Sequence, residues 1–253
     1  MIKMIRAELY RLSKSKGMLI FWLLVIGTFA LTVIYKNNGG ISLGASLDMS
    51  EDIKMDLRQA ANNFTYYYLL IIPVFCVIVS EFSEKTWKNA ISSSISRARF
   101  YIQKYIFTLG FSLLAFVCTN LLFWLVNKAV NGSAYSSPFG DFMKAIGRQL
   151  PIITAVVSVF IFLAFLFKKA GIFNSVTIIG PILYTTVALI LFSIESTHQI
   201  AEKLLKYEIS STLQNLAVQC ETGFRNTVWT ASGVIAAAAF VAGYFCFTKR
   251  EIS

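Results

Sequence analysis

The chain has 253 residues, of which 56% are hydrophobic and only 14% charged, with a mean hydropathy of +0.64 and a formal net charge of +10. A soluble domain of this length cannot bury so much apolar surface, because its exposed area grows too fast with size, so the composition specifies an integral membrane protein. Nor does the charge mark a nucleic-acid binder: basic and acidic residues balance on the segments read below as outside, and the whole +10 falls on those read as inside.

Residues 1–16 place Ile2, Ile5, Leu9 and Leu12 on one side and Lys3, Arg6, Arg11, Lys14 and Lys16 around the rest, which predicts an interfacial amphipathic helix along the cytoplasmic leaflet. The following apolar run, Gly17 to Tyr35, is 19 residues long and lacks a small-residue cleavage site, so it reads as a first span and not as a signal core. An outer loop over 36–63 carries the turn signal Asn37-Asn38-Gly39-Gly40 and an acidic stretch from Asp48 to Asp56. The second span runs from Phe64 to Ser80, with Tyr66-Tyr67-Tyr68 as an aromatic belt and Pro73 as a kink. A polar loop over 81–99 follows, and a third span covers Tyr105 to Val126 with Asn120 as its strongly polar residue. Residues 127–148 return outside through a turn at Ser136-Ser137-Pro138.

The fourth span, Leu150 to Phe167, ends on Lys168-Lys169, and a tight inner turn over 168–173 leads into the fifth, Asn174 to Ile194. Gly180-Pro181 in that span is expected to kink or break it. In the outer loop 195–226, Ile200, Leu204, Leu205, Ile209, Leu213 and Leu216 recur near helical spacing, predicting one or two amphipathic helices that rest on the outer surface or dip into it. The sixth span, Val228 to Phe247, has Ser232/Ala236 and Ala239/Gly243 as small pairs that permit close packing, and Lys249-Arg250 closes it inside. The expectation is one all-α transmembrane domain over 1–253, with six transmembrane helices and both termini cytoplasmic.

Several chemistries have no residues to carry them. There is no GxxxxGK[ST] phosphate loop, so the chain does not hydrolyse nucleotide by that route. Its one histidine, His198, falls in the outer loop, and no set of His or carboxylate ligands converges as an intramembrane zinc site requires. The six spans as drawn hold no Asp, Glu, Lys or Arg, whereas an ion-driven carrier keeps ionisable groups at the midplane. Cys76, Cys118 and Cys246 lie in spans and Cys220 stands alone in a loop, which gives no disulfide framework.

The stretch Glu81 to Lys104 is polar and basic between two apolar runs, with Lys85, Lys88, Arg97, Arg99 and Lys104 marking it cytoplasmic. Trp87, Ala90, Ile91 and Ile95 recur at helical spacing, so one face of a short helix is apolar and rests on the bilayer or on another protein. Glu81, the run Lys85-Thr86-Trp87-Lys88-Asn89, Ser96-Arg97 and Lys104 resemble the first cytoplasmic loop of ABC-2-type transporter permeases. The resemblance is closest to the branch that exports, or confers immunity to, bacteriocin-like and lantibiotic peptides. It departs from many members at Lys85, where they have Gly, and at Ile95, where they have Pro.

The resemblance implies that this loop is a coupling helix seated in a cleft of a partner ATPase. Trp87 and Ile91 would fill the cleft, and Glu81, Glu84, Lys85 and Lys88 would meet its rim. It also implies that spans two and five line a translocation path, with Tyr66, Tyr67, Phe75, Tyr184 and Thr185 as candidate lining residues. The chain itself would hold no cofactor; ATP and Mg would be bound by separate cytosolic ABC ATPase subunits, and a second copy or a related permease would complete the pathway in the bacterial cytoplasmic membrane. The implied function is the permease subunit of an ATP-driven exporter of amphipathic or antimicrobial peptides, for export or self-immunity. A polysaccharide or lipid-linked substrate, or a non-transporting scaffold or sensor that recruits a cytosolic partner, remains open at this point.

Overall fold

A computed structural model describes residues 2–34, 53–62, 65–87, 96–194, 197–218 and 221–249, and these are helical throughout apart from their connections. Helix α1 (Ile2–Lys14) and helix α2 (Lys16–Ile34) break at Ser15, with a bend of 67° between them. The break packs against the next hydrophobic helix. Gly17 has no Cβ, and one added there would stand 2.5 Å from the Cys76 sulfur. The expected apolar side of α1 is only partly the buried one: Leu12 is buried, but Ile5 and Leu9 are exposed and Glu8 turns inward. A carboxylate faces the protein there because cations wait for it.

Helix α3 (Met55–Ala61) precedes α4 (Thr65–Val74), which passes through a π-helical turn (Phe75–Val79) into α5 (Ser80–Ser83). Pro73 lacks an N–H and disturbs the α-ladder just ahead of that turn, where Ser80 N–H donates to the Phe75 carbonyl in the i→i+5 pattern. The third long helix, α6 (Arg97–Asn131), corrects the expected boundary at Tyr105. It starts eight residues earlier because Ser96 caps it, its hydroxyl accepting from Arg99 N at 3.3 Å, and it ends at Gly132, whose φ of 73° closes the helix as glycine readily does. At about 1.5 Å per residue its 35 residues reach about 50 Å, well beyond a hydrocarbon core of about 30 Å.

Helix α7 (Phe139–Phe167) is the hub, lying most extensively along α11 (Thr222–Lys249) and also against α6, α10 (Ile209–Ala217) and α4. Helix α8 (Ala170–Phe192) follows a turn in which Lys168 adopts a left-handed conformation, and α9 (His198–Lys206) packs back on α8. The Gly180-Pro181 pair does not break α8, which is continuous. The carbonyl that Pro181 leaves without its usual donor is that of Thr177, and the Tyr67 hydroxyl from α4 donates to it at 3.2 Å.

One end of the bundle is tied by buried polar contacts. Asp56 on α3 accepts from Ser137 N at 2.8 Å and Ser137 Oγ at 2.6 Å, and Gln149 on α7 donates to the carbonyls of Ala60 and Leu213 at 2.8 and 2.9 Å. Helix α10 is therefore packed into the bundle, with Leu213 and Leu216 fully buried.

Four described helices, α6, α7, α8 and α11, are long and apolar enough to cross a membrane, and the bent α1–α2 pair makes a fifth. The apolar helix Tyr67–Ser83 is shorter. The molecule is a multi-pass membrane protein, and its outward-facing Leu, Ile and Val side chains on α2 and α8 suit contact with lipid.

Close packing of α6 on α11 gives a first expected result. A Cβ at Gly243 would overlap the Tyr101 hydroxyl and come within 3.1 Å of Tyr101 Cζ, while that hydroxyl donates to the Phe240 carbonyl at 2.9 Å. Gly243→Ala should cost about 1–3 kcal/mol, read as a fall in melting temperature in detergent. On a Tyr101→Phe background the added cost should shrink, because the oxygen that the methyl meets is gone; an undiminished cost would show that the contact is not the cause.

Candidate functional site

At the end of α5 the chain turns sharply and exposes Ser83, Glu84, Lys85 and Thr86. Glu84 N donates to the Ser80 carbonyl at 2.9 Å, Lys85 N to that of Phe82 at 3.3 Å, and the Thr86 hydroxyl to that of Glu81 at 3.4 Å. Lys85 has φ 59°, the left-handed region in which glycine is free of strain. The Lys85 departure from a Gly pattern thus sits on a backbone shape that Gly would suit.

Trp87 turns back under this knuckle and is only 7% exposed. Its ring meets Phe82 at 5.5 Å and Phe247 at 6.3 Å, and Phe82 and Phe247 in turn pack on Phe165 at 5.4 and 4.9 Å. Lys168 closes the box from the α7–α8 turn, its ammonium 5.5 Å from the Trp87 ring and 5.6 Å from that of Phe247. Aromatics from α5, α7 and α11 therefore fix the knuckle to two long helices, α7 and α11.

Beside the box lies a four-charge cluster. Lys104 on α6 is 1% exposed, and its ammonium lies 2.6 Å from Glu8 Oε1 and 2.7 Å from Glu81 Oε1. Arg11 pairs with Glu81 as well, and its Nη2 stands 2.9 Å from the second Glu8 oxygen, as an ion pair lacking hydrogen-bond alignment. Both cations also reach the π turn: the Val77 carbonyl accepts from Arg11 at 2.8 Å and from Lys104 at 3.2 Å, and Arg11 lies 3.3 Å from the Cys76 carbonyl. Two acids and two bases sum to zero, so charges that are individually costly in an apolar interior are compensated together. The cluster joins α1, the α4–α5 helix and α6 immediately behind the knuckle.

The candidate path residues are only partly assembled. Tyr67, Tyr184 and Thr185 line one cavity of about 340 Å³, together with Gly180, Pro181 and Glu208, between α4, α8 and the start of α10. Phe75 lines a different cavity, of about 370 Å³, with Gly17, Tyr68 and Asn174. The Tyr66 side chain, Lys88 and Ile91 lie outside the described residues, as does most of the apolar stripe of the expected coupling helix. Glu84 and Lys85 are exposed on the knuckle, whereas Glu81 is engaged in the charge cluster.

A family profile described as ABC-2 family transporter protein matches residues 4–179, well over half of the chain. The chain belongs to the ABC-2 transporter family. No curated protein matches it significantly. The family's membrane proteins are permeases and not themselves ATPases, in keeping with the missing phosphate loop. The matched region of this ABC-2 permease includes the knuckle and all four charges of the cluster, and stops short of Glu208.

Reading the sequence missed Glu8, Arg11 and Lys104 as parts of one site, and Glu208 altogether. A signal for the first was present: Glu8 is the single acid among the five Lys/Arg of residues 1–16, and Glu81 and Lys104 bracket the basic loop as an opposite pair.

Proposed function

We propose that the chain is the membrane-spanning permease subunit of an ATP-driven ABC exporter in the bacterial cytoplasmic membrane. A separate cytosolic ATPase, holding ATP and Mg, docks on the knuckle around Glu84 and Lys85, and the substrate is an amphipathic or antimicrobial peptide, moved for export or self-immunity. The observation that carries this reading is the knuckle itself: an exposed, charged turn braced on a buried neutral ion cluster and an aromatic box. Such a projection transmits a push without yielding, so closure of the ATPases would shift α1, α5 and α6 together.

Six spans follow if the Tyr67–Ser83 helix also crosses: its 17 residues cover about 25 Å, which a locally thinned bilayer and the charged Glu81 end accommodate. Helix α1, bent away from α2, then lies in the interface on the basic side, and both termini are cytoplasmic. A second copy or a related permease completes the pathway.

In a background without the native cysteines, Ser83→Cys should react with an impermeant maleimide only from the cytoplasmic side and Ser133→Cys only from outside. The chain purified with its genomic neighbours should bring down a phosphate-loop ATPase stoichiometrically, and alone should not hydrolyse ATP. External labelling at position 83 would remove the knuckle from the ATPase side and end this reading. A stoichiometric cytosolic partner without nucleotide turnover would instead make the chain a scaffold.

A further inference from the structure

Glu208 is the buried carboxylate that the fold leaves half answered. It is 4% exposed, and one oxygen, Oε1, accepts from the Thr185 hydroxyl at 2.6 Å. The other, Oε2, is buried with no hydrogen-bond partner, and no ion pair reaches Glu208 among the described residues. The contrast with Asp56 is direct, since both of its oxygens are taken. Glu208 stands at the N-terminal boundary of α10, yet its side chain makes no capping bond there. It lines the 340 Å³ cavity instead. Two of the tyrosines around it do not answer it either: Tyr67 donates to the Thr177 carbonyl and Tyr184 to that of Leu204, at 2.9 Å, so these two offer rings to the cavity and spend their hydroxyl protons elsewhere.

A buried anionic oxygen without a partner, walled by tyrosine, calls for a cation. The chemistry of the wall narrows which. A metal ion needs several hard or soft ligands, and no group of three His, Cys, Asp or Glu side chains exists among the described residues. A guanidinium prefers both carboxylate oxygens in a fork, and Thr185 already occupies one. An ammonium, a compact point donor, suits the single free oxygen.

Next to this cavity lies another, of about 470 Å³, that shares Tyr67, Tyr207 and Ile209 with it and is otherwise walled largely by apolar side chains such as Ile152, Val156, Val228 and Ile235. A charged head site thus opens beside an apolar tail site. We infer that the two cavities form one binding site for an amphipathic primary amine, its ammonium paired with Glu208 and its hydrocarbon part against the α7–α11 wall. As a substrate-recognition site this deepens the exporter reading and rests on it; the binding itself does not.

The test uses the full chain in nanodiscs of phosphatidylglycerol, a lipid without a primary ammonium, titrated with octylammonium chloride by calorimetry. Saturable binding is expected, with octanol giving none. Glu208→Gln should weaken it by about tenfold or more, while the unliganded variant melts at or above the wild-type temperature because an uncompensated buried charge has been removed. Unchanged octylammonium affinity in Glu208→Gln overturns the proposal, as does a lower melting temperature with binding intact, which would make Glu208 purely structural. Ile235→Trp, on the half-exposed tail wall, should weaken octylammonium binding without touching the head site, and keeps the test alive if Glu208→Gln does not fold; wild-type affinity in that variant counts against the site. Replacing part of the lipid by phosphatidylethanolamine distinguishes the source. Competition assigns the ammonium to a lipid headgroup, and its absence to a non-lipid amine. No ATPase is present in this assay, so its failure and the failure of the ATPase to co-purify are separate results.

Discussion

Lys104→Met should be the most damaging single substitution in the charge cluster, costing about 3–5 kcal/mol and lowering the melting temperature and the monodisperse yield in detergent. Lys104 is 1% exposed and is shared between Glu8 and Glu81, at 2.6 and 2.7 Å. Its removal leaves two carboxylates facing one guanidinium in a site that water barely reaches. The cost is that of the stranded charge and not the net worth of the bridge, which predicts a rescue: Lys104→Met combined with Glu81→Gln restores neutrality and should recover most of the loss. Arg11→Met should cost less than Lys104→Met, since the Arg11 side chain is 36% exposed and solvent can partly take its place. If Lys104→Met melts with the wild type, the cluster does not brace the knuckle.

That cluster also shows where the sequence stops being legible. Apolar runs located the four long membrane helices and the bent α1–α2 pair, because length and hydropathy are properties of a single segment. Lys104 sits at the end of such a run and reads as a boundary marker; that it is buried depends on Glu8, 96 residues away, and on a π turn after Pro73 that turns the Val77 carbonyl toward it. Hydropathy has no term for a charge answered from another helix. Hydropathy is equally blind to α10, whose polar Ser210, Ser211, Thr212 and Gln214 are buried between α3 and α7. Pro181 read as a kink or a break, and that the helix continues through it has a related reason, since the donor that satisfies Thr177 arrives from Tyr67, 110 residues earlier. Of the candidate path residues, Tyr67, Tyr184 and Thr185 do meet at one cavity, through helix pairing that no local pattern encodes.

Trp87→Ala should weaken association with the ATPase by about 30-fold, equivalent to about 2 kcal/mol, and the route of that loss is informative. The sequence suggests an anchor that leaves the chain to fill a partner's cleft, in which case the isolated permease would keep its stability. The packing points to a support: the ring is held between Phe82 and Phe247 with the Lys168 ammonium over it, and removing a buried aromatic of this size costs about 3–5 kcal/mol in the chain itself. The expected result is therefore a lower melting temperature of Trp87→Ala in the absence of any ATPase, with the affinity loss following because Glu84 and Lys85 are no longer held in place. Trp87→Phe keeps a ring in the box and should lose little of either. Paired reversal of the exposed charges, Glu84→Lys with Lys85→Glu, should do the opposite, leaving the melting temperature unchanged while weakening association. Trp87→Ala with wild-type stability and lost affinity would return the tryptophan to the partner's cleft; with both unchanged, the ATPase does not engage this end of the bundle through the knuckle at all.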